Sequence, residues 1–309
     1  MSMIRNVVVT GANGFISLKV INVLENYYNL KKVVRNKKDC FTNDFFSIGN
    51  INSNTIWDLL KGQNVVIHTA ASAHIPQDNS TNHLADFRTV NVDGTLNLAR
   101  QAAEAGVKRF IFLSSIGVNG VSNQAPFTVN DSPNPSEPYA YSKWEAEQGL
   151  LQIAEQTDME VVIIRPPLVY GPNAPGNFGR LVRWVEKGIP LPLGAVHNHR
   201  TLVGLDNLVD LIRVCIDHPA AANQVILAGD DEDVSTTQIL RGIAEGMGKS
   251  SRLIPVPESL LWAGACMLGK RVMAEKVLGS LQVDISETKR LLDWEPPYSF
   301  AEGMKRCFE

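Results

Sequence analysis

The chain has 309 residues, of which 44% are hydrophobic, so it can bury a sizeable core as one large domain or two modest ones. Its net charge of −3 argues against a nucleic-acid-binding surface. Scattered cysteines without a Cys-x-x-Cys pair predict neither a metal site nor a disulfide framework, and free thiols are typical of a cytoplasmic protein. The cysteines are Cys40, Cys215, Cys266 and Cys307.

Strand-like and helical runs alternate along the first half of the chain. This alternation predicts an α/β fold built on a mostly parallel, doubly wound sheet. The N-terminus runs directly into a strand, which leaves no room for a signal peptide. The predicted elements are strand 4–10, a helix to about 29, strand 31–34, an irregular stretch near 41–54, strand 64–68, a helix over about 82–105, strand 108–114, a helix over about 139–157 and strand 159–165.

One later segment, residues 260–268, is strongly apolar. It is far shorter than the ~20 residues that a membrane span needs, so no membrane span is predicted. The sequence favours a core or interface helix here over peripheral contact with a membrane.

A glycine-rich turn follows the first predicted strand. Strand, glycine turn and helix together are the context that a phosphate-binding loop requires. Gly11 permits the tight turn, and Gly14 lets the backbone approach a pyrophosphate at the helix N-terminus. An ordinary strand-to-helix turn is the alternative. Ser17 stands where a third glycine is usual. It is small enough to keep helix and strand close, but the departure weakens the expectation that a dinucleotide is tightly retained.

Two serines end the predicted strand 108–114. Ligands of an open α/β sheet lie beyond the carboxyl ends of its strands, where Ser114 and Ser115 emerge. A hydroxyl there can donate to a substrate oxygen and stabilise charge that develops on it. A serine pair that only caps the strand end is the alternative.

Tyr139 and Lys143 stand four residues apart on a predicted helix, so they share one face. A phenol titrates near ~10, and a neighbouring ammonium is expected to lower its pKa toward neutrality. Such a pair handles the proton in carbonyl/alcohol redox enzymes while a cofactor handles the hydride.

Several segments, in chain order, resemble the extended short-chain dehydrogenase/reductase family, in its nucleotide-sugar epimerase/dehydratase/reductase branch. The segments are TGANGFIS (10–17), HTAA (68–71), NVDGT (91–95), FLSS (112–115), VNG (118–120), YAYSK (139–143) and RPPLVYGP (165–172). The resemblance implies a dinucleotide-binding Rossmann domain over 1–170, rejoined by 200–230. A smaller, mostly helical substrate lobe would comprise 171–199 and 231–309. A homodimer through helices like 82–105 and 139–157 is also implied.

The resemblance implies Ser115, Tyr139 and Lys143 as the catalytic set. Ser115 is preferred over Ser114 because it lies three residues before the VNG triplet, and the rival Tyr141 lacks a lysine four residues later. The implied cofactor-binding residues are Gly11, Asn13, Gly14, Phe15, Ile16, Arg35, Asn50, Ile51, Thr69, Ala70, Ala71, Asn91, Tyr139, Lys143 and Pro166. The implied substrate-binding residues are Ser115, Asn177 and Arg200.

The end of the second strand bears on the choice of nicotinamide cofactor. Arg35 stands where NAD-dependent members of the family carry an aspartate, and cations suit a 2′-phosphate. The sequence therefore favours NADP(H). NAD(H) is the alternative, with Asp39 or Asn36 on the ribose.

Hydride transfer at C4 of a nucleotide-linked, UDP-type hexose is the resulting expectation. The leading interpretation is a 4-keto reductase of a UDP-4-keto-6-deoxy-amino sugar in surface-polysaccharide synthesis. The alternative is a UDP-hexose 4-epimerase with retained NAD. A 4,6-dehydratase fits less well because Ile116-Gly117 replaces the acidic pair expected after the serine. A redox-inactive regulatory protein on the same fold is a further alternative.

Overall fold

The structure is a computed structural model that describes residues 5–40, 42–73 and 83–309. Ten strands lie within these ranges. They are β1 (Asn6–Thr10), β2 (Asn29–Val34), β3 (Phe45–Ser47), β4 (Val65–His68), β5 (Arg109–Leu113), β6 (Glu160–Arg165), β7 (Leu168–Tyr170), β8 (Arg200–Gly204), β9 (Gln224–Leu227) and β10 (Asp233–Val234).

Eleven α-helices lie within the same ranges, and a π-helical turn, Thr89–Gly94, joins the second to the third. The helices are α1 (Phe15–Leu24), α2 (His83–Arg88), α3 (Thr95–Glu104), α4 (Pro138–Gln156), α5 (Gly176–Glu186), α6 (Leu205–Asp217), α7 (Thr236–Gly246), α8 (Glu258–Met267), α9 (Arg271–Leu278), α10 (Ser286–Leu292) and α11 (Phe300–Arg306).

The main sheet has seven strands in the order β3-β2-β1-β4-β5-β6-β9, and every neighbouring pair in it is parallel. Side chains of a strand alternate between the two faces of a sheet. Val7 and Val9 of β1 therefore pack against α1 and α6, whereas Val8 packs on the other face with α3 and α4. Helices cover both faces, which confirms the predicted doubly wound, Rossmann-type fold.

Two predicted elements differ from the structure. The stretch near 41–54 contains a short strand, β3, which pairs with β2 at the edge of the sheet. The helix predicted over about 82–105 is interrupted by the π-helical turn, and residues 81 and 82 lie outside the described ranges. The helix propensity of the sequence does not reveal this interruption. A π-helical turn holds one extra residue, and its place depends on packing against α4 and the cleft rather than on local sequence.

A second hydrophobic cluster lies under a three-stranded sheet with the order β10-β8-β7. Helices α5, α7, α9 and α11 contribute to it, and Phe15 at the start of α1 packs against both this cluster and the main core. Strand β8 thus lies in the small sheet, whereas β9 adds the last strand to the main sheet. The exact division into a Rossmann domain and a substrate lobe stays a prediction.

Helix α8 contains most of the apolar segment 260–268, and none of its residues is fully buried. The helix therefore does not lie in the core, and α9 is its main neighbour. The other half of the expectation, an interface helix, stays a prediction. Across the described ranges, no helix is both long enough and apolar enough to cross a membrane.

Candidate active site

A cleft of about 680 Å³ opens at the carboxyl ends of β1, β2 and β4, and is called the glycine-loop cleft here. Nine of the predicted cofactor-binding residues line it. They are Gly11, Asn13, Gly14, Arg35, Asn50, Ile51, Thr69, Ala70 and Ala71. Val33, Val34, Ile48, Gly49 and Val90 complete the lining.

The glycine loop has the geometry that a phosphate-binding turn needs. Gly11 has φ +68°, a left-handed conformation that favours glycine, and a Cβ atom there would meet the Ala70 backbone at 2.9 Å. Gly14 is the N-cap of α1, and no side chain caps this helix. The first N–H groups of α1 are thus open to an anionic partner, which fits the diphosphate of a dinucleotide.

Ser17, which replaces the usual third glycine, is buried in α1. Its Oγ donates to the Gly11 carbonyl at 2.6 Å and lies 2.8 Å from Thr69 Oγ1. The serine therefore ties the loop to the helix and to the end of β4. This contact gives the loop a support that the sequence argument did not anticipate.

At the end of β2, a cation and a carboxylate flank the glycine loop. Arg35 is exposed and lines the cleft. Asn13 Nδ2 donates to Asp39 Oδ2 at 3.1 Å, so the carboxylate of Asp39 lies directly against a residue of the loop. Arg35 thus lies in the lining of the cleft, and Asp39 lies next to that lining through its contact with Asn13.

The two serines after β5 have different environments. Ser114 is buried, and its hydroxyl donates to the Glu147 carboxylate. Ser115 is partly exposed, and its Oγ accepts from the Gly117 N–H at 3.1 Å. Because an oxygen that accepts there keeps its own proton, Ser115 can still donate to a substrate oxygen. The geometry thus favours Ser115 over Ser114 as the substrate-facing hydroxyl.

Tyr139 and Lys143 share one face of α4, as the spacing predicts. Lys143 Nζ lies 6.0 Å from the centre of the Tyr139 ring and donates to the Leu113 carbonyl at 2.8 Å. The rival Tyr141 is exposed, and its ring packs against Trp144 at 6.4 Å. Tyr139 is therefore the tyrosine that lies beside the lysine.

Burial shifts the pKa of each member of this pair in the direction that favours its neutral form. It raises the pKa of Tyr139 to about 12 and lowers the pKa of Lys143 to about 7, where the charge of Glu147 acts in the opposite direction. When only the chain's own groups act on Tyr139, the expectation that the lysine lowers the phenol pKa is wrong. A desolvated ammonium that is itself close to half-titrated at neutral pH cannot offset the cost of burying a phenolate.

A buried ion pair supports the helix that carries the pair. Glu147 stands one turn after Lys143, and Arg165 donates to its two oxygens at 3.0 and 2.5 Å. Arg165 also donates to Asn119 Oδ1 at 3.0 Å. The arginine therefore has a structural role, since it joins α4 to the segment that contains Asn119.

Six predicted cofactor residues do not line the described part of the glycine-loop cleft, and two of them are Tyr139 and Lys143 on α4. Asn91, in the π-helical turn, exchanges hydrogen bonds with Ser72 and donates to Ser142 Oγ at 3.0 Å, which fixes α4 next to Lys143. The Pro166 carbonyl accepts from the Ile116 N–H at 3.0 Å. Phe15 and Ile16 pack into the hydrophobic core at the start of α1.

A second cavity, of about 1270 Å³, contains both residues that the sequence predicted for the substrate end. Asn177 and Arg200 line it, and burial lowers the pKa of Arg200, whose Nη1 donates to the Gly279 carbonyl at 3.0 Å. Three further cations also line this cavity, which is called the cationic pocket below. They are Arg180, Lys270 and Lys276.

Sequence reasoning missed residues that reach the site from distant segments. Phe87 of α2 packs edge-on against the Tyr139 ring at 5.9 Å. Lys276 pairs with Glu137, directly before α4, at 2.5 Å, and so joins the cationic pocket to the active-site helix. No local motif marks either contact. Among the described residues, no group of three or more His, Cys, Asp or Glu side chains is arranged to hold a metal ion.

The chain is similar to known nucleotide-sugar enzymes. A Vibrio cholerae protein described as UDP-glucose 4-epimerase is 44% identical to it, over 98% of this chain and 94% of that one. An Escherichia coli O157:H7 protein described as N-acetyl-alpha-D-glucosaminyl-diphospho-ditrans,octacis-undecaprenol 4-epimerase is 26% identical over 98% and 94%. The crystal structure of a Thermotoga maritima UDP-glucose 4-epimerase with UDP-glucose has a TM-score of 0.77 at 23% identity, covering 98% of this chain and 97% of that one, which indicates a shared fold.

The family described as "NAD dependent epimerase/dehydratase family" matches residues 7–229. This range spans the glycine loop, the serine after β5 and the Tyr139/Lys143 pair. The chain belongs to this family, and it is an NAD-dependent nucleotide-sugar enzyme of the extended short-chain dehydrogenase/reductase type.

Proposed function

We propose that the chain is a UDP-hexose 4-epimerase that works with retained NAD. The observation that carries this proposal is the 44% identity, along nearly the full length, to the Vibrio cholerae relative. The favoured interpretation from sequence, a 4-keto reductase, has less support than this alternative. The preference for NADP(H) likewise lacks support, because the matching family is described as NAD dependent.

One local contact and the exposure of Arg35 support NAD over NADP. A 2′-phosphate beside the glycine loop would meet the carboxylate of Asp39, which Asn13 holds in place. Repulsion between like charges would weaken binding of that phosphate, whereas a carboxylate can accept from the 2′-hydroxyl of NAD. Arg35 is exposed, so solvent can satisfy its guanidinium without a phosphate.

The residues of the glycine-loop cleft would hold the dinucleotide, with its diphosphate at the N-terminus of α1. When bound, the nicotinamide supplies reversible acceptance of hydride and a positive charge on its oxidised ring. The chain itself supplies the proton transfer and the alignment of the sugar.

Tyr139 Oη would take the proton of the sugar's C4 hydroxyl and later return a proton to the same oxygen. Its raised pKa makes the neutral phenol the resting form, so its deprotonation depends on positive charge nearby. Lys143 would supply part of that charge, and Ser115 would donate to the C4 oxygen. If the 4-keto sugar rotates in the site before it is reduced, it would receive hydride on its other face. That step inverts the configuration at C4.

The substrate diphosphate would lie in the cationic pocket. Asn177 and Arg200 line this pocket together with three further cations, and a guanidinium matches phosphate oxygens well. The proposed lobe of 171–199 and 231–309 contributes most of this lining, and the Rossmann domain contributes the glycine-loop cleft.

The direct test offers UDP-glucose and UDP-galactose separately, without added cofactor, and follows the approach to equilibrium by proton NMR. Interconversion is expected with wild type. Tyr139→Phe should lower kcat by about 100-fold or more, because a positioned acid/base contributes about that much.

Tyr141→Phe is the matched control, and it should retain activity because Tyr141 faces solvent beside Trp144. The absence of interconversion, combined with oxidation of NADPH on a UDP-4-keto-6-deoxy sugar, would overturn the proposal. Equal loss in both variants would contradict the role given to Tyr139.

A further inference from the structure

Helices α8 and α9 present an apolar surface that the described chain leaves uncovered. Leu260, Met267, Leu268 and Val272 are 63%, 87%, 72% and 66% exposed. Soluble chains rarely expose large apolar side chains in a contiguous group, and such a group marks a binding surface. This surface therefore needs an occupant.

Leu260 and Leu268 of this surface line a groove of about 920 Å³, here called the apolar groove. Leu191 and Leu193 line it from the segment before β8, and Leu260, Leu261 and Leu268 line it from α8 and its C-terminal end. Lys270 is the single charged residue in its lining. A groove of this composition suits a flexible hydrocarbon chain, since it offers almost no partner for a polar ligand.

The apolar groove runs directly into the cationic pocket. Trp184, Lys270, Met273 and Val277 line both cavities. The cationic end carries four basic side chains and no carboxylate in its lining, and only Lys276 among the four pairs with a carboxylate of the described residues, that of Glu137. The pocket therefore keeps an excess of positive charge that suits an anion. An occupant that complements both ends has a diphosphate group with an apolar chain attached to it.

We infer that the enzyme accepts a hexose whose diphosphate carries a prenyl chain in place of a nucleoside, and that this chain lies in the apolar groove. The inference rests on the proposed C4 epimerisation and extends its substrate class to lipid-diphosphate-linked sugars. The reaction is the same at C4, because the prenyl group is attached on the far side of the diphosphate.

A second copy of the chain accounts less well for the groove. Burial against another protein surface would cover the apolar groove. Arg180 and Lys270, which have no carboxylate partner among the described residues, would still need an anion. A prenyl diphosphate satisfies both requirements with one molecule.

The test compares two substrates that differ only in the chain, glucosyl diphosphate esterified with farnesyl and the same compound esterified with methyl. Wild type should have a KM at least about tenfold lower for the farnesyl ester, since burying each branched C5 unit is worth at least the ~1.4 kcal/mol that a tenfold change requires. Leu260→Gln and Leu268→Gln should each remove most of this advantage. Neither residue lines the cationic pocket, so turnover of UDP-glucose should stay unchanged.

Ile56→Gln is the matched control, because Ile56 is 73% exposed and lies outside both cavities. It should leave both KM values unchanged. Equal KM values for the two esters in wild type, together with normal turnover of UDP-glucose, would overturn the inference and leave the proposed function intact.

Calorimetry with farnesyl diphosphate and methyl diphosphate gives a readout that does not depend on catalysis. A tighter Kd for the farnesyl compound, lost in Leu268→Gln, supports the groove assignment even if UDP-glucose is not epimerised. Equal Kd values overturn it.

Two further measurements test other occupants of the groove. If sedimentation shows a dimer that Leu260→Gln breaks, the groove belongs to a second copy. If the protein floats with neutral phosphatidylcholine vesicles, loses this in Leu260→Gln and shows no farnesyl advantage, the groove belongs to a membrane surface. Either result overturns the inference.

Discussion

Tyr139 and Lys143 lie side by side on α4, and desolvation acts on both in the direction that removes charge. The phenol is held neutral, with a pKa of about 12, and the ammonium is weakened to about 7. The spacing in the sequence predicted the pair correctly, but not its titration. Burial is a property of what packs on the helix, and here Phe112, Phe87 and the Leu113 carbonyl surround the two groups.

The lowered pKa of Lys143 predicts how the free energy of unfolding depends on pH. Its value falls from an ordinary 10.5 to about 7 on folding, so between these values the unfolded chain binds more protons than the folded chain. The free energy of unfolding of wild type should therefore rise with pH relative to that of Lys143→Met, by up to about 1.4 kcal/mol per unit between pH 7 and pH 10. Tyr139 is present in both proteins, so its own titration, which begins in the unfolded chain near its ordinary pKa of 10.0, cancels in this comparison.

Urea denaturation of both proteins at pH 7, 8 and 9 measures this difference. Lys187→Met is the control, because Lys187 is exposed, and its difference from wild type should not change with pH. If the difference for Lys143→Met also stayed constant over this range, the lysine would not be desolvated as described.

At the scale of elements, the π-helical turn between α2 and α3 connects the active-site helix to the glycine-loop cleft. Asn91 in this turn donates to Ser142 on α4. Gly94 at its end lies against Ile51, which lines the cleft. The sequence predicted Asn91 and Ile51 as site residues, but it placed a continuous helix between 82 and 105.

Gly94→Ala tests this connection. A Cβ atom at position 94 would meet Ile51 Cγ2 at 2.4 Å and the Ile51 backbone at 3.1 Å, so the segment 51–52 must move. We expect a loss of about 1–3 kcal/mol in the free energy of unfolding, as for other overpacked sites, and weaker NAD binding through the displaced Ile51.

Isothermal titration with NAD and thermal denaturation measure the two effects. Gly264→Ala is the control, since a Cβ atom there meets nothing within 4 Å. Unchanged NAD affinity in Gly94→Ala would contradict the proposed link between the turn and the cleft.

At the scale of the whole molecule, the predicted homodimer through α3 and α4 remains to be tested. Helix α4 carries the exposed Tyr141, whose ring packs edge-on against Trp144. Aromatic pairs of this kind are frequent anchors of protein interfaces. A symmetric dimer would bring this patch together twice.

Tyr141→Glu should shift the dimer toward monomer, because each interface would bury two unpaired carboxylates. A weakening of at least ~2 kcal/mol, roughly thirtyfold in Kd, is expected by sedimentation velocity. Tyr27→Glu is the control, as Tyr27 is similarly exposed and paired with Tyr28 at 6.5 Å. Identical sedimentation of both variants and wild type would exclude α4 as the dimer surface.

The sequence by itself determined the parallel sheet, the glycine loop, the Tyr139/Lys143 pair and the preference for Ser115, because each depends on local spacing or on a short motif. Only the tertiary structure decided the protonation of that pair, the support that Ser17 gives the loop, the carboxylate of Asp39 beside Asn13 and the exposure of α8. These properties depend on which distant residues pack together, and burial and hydrogen bonding across more than twenty positions leave no periodic signal in a single chain.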